Sequence, residues 1–167
     1  DLPKRSRTMQ TSLCLLIWLA ESEYNGGSFN GPNLVKTLKS LTMEQVTTEE
    51  TCEGYTVWAV VLHLMYWKHF IARVLGDATL GDFPYQGENW LALPEERSEA
   101  DWSRTLSEQD EIHKAYVAAL RTFPEERLSE KMEWGCPFGE AVAWMTTHDT
   151  YHTAQIRNMG LKGLVIG

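Results

Sequence analysis

An all-α fold, a four-helix bundle, is predicted by three observations. Apolar residues recur at helical spacing in four long stretches, no stretch alternates apolar and polar residues as a half-buried strand would, and Gly, Pro or Asn breakers follow those stretches. At 167 residues, 43% of them hydrophobic and 23% charged, the chain is long enough for one well-filled core and too short for two. Residues 1–167 therefore read as a single domain.

The first helix runs from about Arg7 to Tyr24 and stops at Asn25-Gly26-Gly27. Its start, KRSRTMQTSLCLLIWLAES, has the basic-then-apolar order of a signal peptide. Glu21 follows the apolar run at once, Trp18 occupies the −3 position where a small residue is needed, and the run is far short of the roughly 20 residues of a membrane span. A buried first helix is expected instead. A short helix, about Asn33 to Leu41, carries Leu34, Leu38 and Leu41 at helical spacing.

The second long helix opens at Thr56, a suitable N-cap, and runs through VWAVVLHLMYWKHFIARVL to a stop at Gly76. It is apolar around most of its circumference, as a helix buried on several sides should be. The third, about Asp101 to Thr122, sets Leu106, Ile112, Tyr116, Ala119 and Leu120 against a charged face and ends before Pro124. The fourth starts near Pro137 and Phe138 and runs past His152 to about Asn158, before Gly160.

A connection of roughly 25 residues joins helices two and three, far longer than a bundle turn. At up to about 3.3 Å per residue it can travel the roughly 27 Å length of an 18-residue helix. Helix three can then run parallel to helix two, giving an up-down-down-up bundle with a long crossover.

Composition excludes several function classes. A net charge of −8 without clustered Lys or Arg argues against a nucleic-acid surface. Cys14, Cys52 and Cys136 are widely spaced and form no C-x-x-C pair, so neither a disulfide framework nor a thiolate zinc site is encoded, and a reducing cytoplasm is expected. No membrane partner is expected.

The chemistry gathers at the histidines. His148 and His152, in THDTYHTAQI, stand four residues apart and project from one helix face toward one point. His63, within VVLHLMYW, is the third candidate. Taken alone it reads as a neutral core histidine; three histidines on two largely apolar helices favour a shared ligand that uses all three lone pairs. Three imidazoles with an open position suit zinc, nickel or ferrous iron. His69 falls on the opposite side of its helix from His63, and His113 lies in a polar stretch, so both read as structural or solvated. Asp149 faces roughly 100° away from His148 and is not expected as a ligand.

The segments EGYTVWAVVLHLMYWKHFIARVLGD and CPFGEAVAWMTTHDTYHTAQIRNM, with GPNLVKTLKSLTMEQV ahead of them, resemble the DinB-like (DinB/YfiT) family of metal-binding four-helix bundles. The most specific element is H-x-x-x-H-x-x-Q-I, here His148, His152, Gln155 and Ile156, joined to His63. The resemblance implies a helical bundle, a homodimer, and a three-histidine site holding one divalent metal, nickel or zinc first and iron after them. It also implies thiol-dependent S-transferase or isomerase chemistry with bacillithiol, mycothiol or glutathione, although many relatives have no assigned activity. The ending RNMGLKGLVIG departs from the family's leucine- and arginine-rich one.

Three functions are open at this stage. In a metal-dependent thiol S-transferase the open position would bind a low-molecular-weight thiol and hold it as thiolate for attack on an electrophile. Gln155 is then the residue to orient a ligand or water. Tyr66 and Trp67 are pocket candidates, Arg73 and Arg157 candidate carboxylate partners, and Tyr85 and Trp90 candidate lid residues. The alternatives are a non-catalytic metal-binding or stress-related protein and, last, a metal-dependent hydrolase with Asp149 or a water near Gln155 as base.

Overall fold

A computed structural model describes residues 11–77 and 79–165. Among them there are six α-helices, one 3-10 helix and no strand: α1 (Ser12–Tyr24), α2 (Leu34–Lys39), α3 (Met43–Thr47), α4 (Val57–Val74), α5 (Glu99–Thr122), the 3-10 turn Glu125–Ser129, and α6 (Phe138–Asn158). The fold is all-α. The expected start of the first helix, Arg7 to Gln10, lies outside the described residues.

Local chemistry sets the boundaries. Thr56 caps α4 by accepting from the Ala59 N–H, and Asn33 caps α2 by accepting from that of Lys36. The helix α5 begins two residues earlier than the sequence suggests because Ser98 and Asp101 form a capping box. A second capping box, Thr42 with Gln45, opens the five-residue α3, which apolar periodicity did not reveal. The expected limits of α6 hold.

The four long helices pack in a cycle, α4 on α5, α5 on α1, α1 on α6 and α6 on α4. Along α4 and α5 the contacts advance together: Trp58 donates to Thr105 at 3.2 Å, and ten residues on Lys68 reaches His113. Along α4 and α6 they run in opposition. The start of α4 lies near Met159, whose carbonyl accepts from the Cys52 N–H, and Lys68 meets the earlier Asp149.

The apolar core falls into two clusters. One gathers Trp58, Leu62, Met65, Trp102, Ile112 and Ile156; the other Ile71, Tyr116, Leu120, Val142 and Met145. On each of α4, α5 and α6 a polar residue sits between the two sets, and these three, Lys68, His113 and Asp149, are all buried. The histidine cluster lies just beyond this layer.

Candidate metal centre

α4 and α6 bring the predicted histidines together. The Nε2 atoms of His63 and His148 lie 2.9 Å apart, and those of His148 and His152 3.1 Å apart. His63 and His152 are buried and His148 is half-buried. The i, i+4 spacing on α6 accounts for the second contact; the first depends on how α4 packs against α6.

Hydrogen bonds fix what those nitrogens present. The Nδ1 of His63 lies 3.1 Å from the Asn89 carbonyl, which only accepts, so Nδ1 carries the proton and Nε2 is a bare lone pair. The Nδ1 of His152 lies 2.6 Å from Gln155 Oε1, while Gln155 Nε2 donates to Glu53 at 3.1 Å, which settles the amide orientation and again leaves Nε2 bare. Both lone pairs face His148 Nε2. A single hydrogen on that nitrogen satisfies one of them at most, and His148 Nδ1 is buried without a partner among the described residues.

A shared cation fits this arrangement. Two imidazole nitrogens bound to one ion at about 2.0–2.1 Å sit roughly 3 Å apart. Burial is also the main reason that the three rings stay neutral: it lowers His63 to about 4 against an opposing bond from Asn89, and lowers His148 to about 3 with help from the neighbouring His152, His63 and Lys68. His152 is lowered by burial too, with Gln155 pulling the other way. Neutral imidazole is the ligating form.

Of the pocket candidates, Gln155 touches the cluster directly. Trp90 also does, its ring stacked on His63 at 4.1 Å and 6° with Tyr55 stacked on its outer face at 4.0 Å. Trp67 acts at one remove, donating from Nε1 to Asn89 Oδ1 at 2.8 Å. Tyr66 packs edge-on against Trp67 and Phe83 instead. Tyr85 is no lid over the histidines: its hydroxyl binds Thr105 and Glu108 and ties the connection to α5.

Arg73 donates to the Leu80 carbonyl, and Arg157 donates to the carbonyls of Pro32 and Asn30 around Gly31; both hold loops. His69 bonds to the Gly81 carbonyl at 2.9 Å. His113 is not solvated despite its polar surroundings in sequence; its ring stacks on Tyr24 at 3.6 Å. Asp149 pairs with Lys68 in the buried layer. Sequence reasoning missed Lys68 and Asn89, whose partners lie far along the chain.

The DinB superfamily family model matches residues 29–156, a span that includes all three histidines. Among curated proteins, one from Bacillus cereus strain B4264 is 29% identical over 139 residues, covering 77% of this chain and 78% of its own. A Bacillus thuringiensis subsp. konkukian protein gives the same figures, and one from Bacillus cereus strain G9842 is 28% identical over 136 residues, covering 75% and 76%. Each is named "Putative metal-dependent hydrolase". No solved structure matches significantly. Among the described residues no helix is long and apolar enough to cross a membrane.

Proposed function

Because the chain belongs to the DinB superfamily, we propose that it holds one divalent transition metal on His63, His148 and His152 and uses it as an enzyme, a thiol S-transferase. The observation that carries this is the convergence of three Nε2 atoms, two of them with the opposite ring nitrogen already bonded. A bound zinc or nickel ion would supply Lewis acidity, lowering the pKa of a thiol at the open position. The residues do the rest. Asn89 and Gln155 hold two imidazoles in the ligating tautomer, and Trp90 covers one face of His63 from water.

A thiol whose pKa is lowered in this way would lose its proton to water, and Asp149, the carboxylate beside His148 on α6, is committed to Lys68. The order of contacts supports reading the four long helices as an up-down-down-up bundle within one domain. A cytoplasmic homodimer is the accompanying expectation. Arg73 and Arg157 each donate to loop carbonyls and keep further N–H groups, so either remains a candidate partner for a cosubstrate carboxylate.

The second reading, a metal-dependent hydrolase, is favoured by the relatives' names and by Glu53, the carboxylate linked to His152 through Gln155. One titration separates the two. The protein is loaded with nickel or cobalt and its absorption spectrum followed as bacillithiol, mycothiol or glutathione is added. A sulfur-to-metal band supports transfer; a silent spectrum with turnover of ester or amide substrates supports hydrolysis.

A further inference from the structure

We propose that Asn89 is a positioning residue for His63, clamped in place by Trp67, so that the connection between α4 and α5 is thermodynamically part of the metal site. The inference rests on the metal-binding reading above and adds a residue that neither the signature nor the relatives' names point to.

Asn89 has φ +60, and among the described residues it alone is a non-glycine in the left-handed region. Asn tolerates that conformation better than most residues, and it persists where surrounding contacts over-determine it. Those contacts are both on α4. The side-chain oxygen accepts from Trp67 Nε1 at 2.8 Å, and the main-chain carbonyl of the same residue accepts from His63 Nδ1 at 3.1 Å.

Trp67 and His63 are four residues apart on one helix face, so a single asparagine bridges a helical turn and presents its carbonyl to the imidazole. Trp90, the next residue, then lies flat on the His63 ring at 4.1 Å. Carbonyl and indole together fix the tautomer and the plane of His63. Removing the Trp67 bond frees the Asn89 side chain, lets φ relax, and turns the carbonyl away from Nδ1. By linkage, metal bound at His63 must in turn tighten the connection.

The test compares the wild type with Asn89→Gly, which permits the same φ without strain but loses the bond to Trp67 that holds it; Asn89→Asp, which keeps an acceptor; and Trp67→Phe. Zinc affinity is measured by chelator competition on protein whose helicity is checked by circular dichroism, and imidazole nitrogen NMR reports the His63 tautomer in metal-free protein. Loss of an outer contact to a ligating histidine typically weakens metal binding by about 10- to 100-fold, so Asn89→Gly and Trp67→Phe should fall in that range and Asn89→Asp within about threefold of wild type. Wild-type affinity and an unchanged His63 tautomer in Asn89→Gly would overturn the proposal, and that variant decides alone if Trp67→Phe does not fold. If the wild type takes up no zinc, the metal reading fails, while the tautomer still shows whether Asn89 sets His63.

Discussion

Lys68 on α4 and Asp149 on α6 form an ion pair inside the protein, with side chains 3% exposed each. Burial pushes the Asp149 carboxyl up, and the Lys68 charge and hydrogen bond draw it back toward the ionised form. Among the described residues Asp149 Oδ1 is buried without a hydrogen-bond partner, so the lysine is the main compensation for a charge withdrawn from water.

Removing one partner should therefore cost more than removing both. Lys68→Met is expected to lose about 3–5 kcal/mol in urea denaturation, and Lys68→Met with Asp149→Leu to recover most of it, because two apolar side chains leave no stranded charge. A double variant no more stable than Lys68→Met would mean that the pair stabilises the fold by its attraction rather than by mutual neutralisation.

His63→Ala and His152→Ala should fold and yet retain little metal. An ion present at 100 times its dissociation constant stabilises the folded state by about 2.7 kcal/mol, so the wild type should melt higher with zinc while either variant barely responds. Metal content by mass spectrometry, read beside the melts, checks this. Full stoichiometric metal in either variant would remove that histidine from the ligand set.

The long helices were legible because their signals are local. Thr56, Pro124, Gly160 and the apolar spacing between them need no knowledge of the fold, and the i, i+4 pair His148 and His152 declares its shared direction in the same way. Five-residue α3 offers only Met43 and Val46 as apolar positions, too few for a period, although Thr42 and Gln45 spell a capping box. Lys68 was passed over, and His113 was left open between structural and solvated, because their environment comes from α1 and α6, whose residues lie far away in sequence. Asn89 looks like any loop asparagine until its φ and its two partners on α4 are known together.

Gly160, just beyond α6, should resist substitution for two separable reasons. Its φ is +82, and a Cβ there would lie 2.8 Å from Cys52 Sγ, beside the bond from the Cys52 N–H to the Met159 carbonyl. Gly160→Ala is expected to cost at least about 1–2 kcal/mol from backbone strain alone. Adding Cys52→Ala relieves the contact but not the strain, so the double variant should recover part of the loss. Complete recovery would assign the whole effect to the sulfur.

His113 should make stability depend on pH below neutrality. Burial, assisted by the nearby Lys68 charge, lowers its pKa to about 2, and Nδ1 faces Lys68 Nζ at 3.4 Å, so the folded state holds the ring neutral. In the unfolded chain a histidine takes up a proton near pH 6.5. The unfolded state therefore binds more protons over the window from about 6.5 down to about 2. The stability conferred by neutral His113 is complete above that window and is lost progressively as pH falls through it. Between pH 7 and pH 5 the loss is about 2 kcal/mol for this one residue. His63, His148 and His152 contribute with the same sign in metal-free protein, so the share of His113 is isolated by comparing the wild type with His113→Gln, in chelator, by urea denaturation at both pH values. The variant should be less stable at pH 7 and should lose about 2 kcal/mol less than the wild type on going to pH 5. Parallel losses in the two proteins would show that His113 already carries a proton in the folded state, and that its stack on Tyr24 is one between imidazolium and phenol.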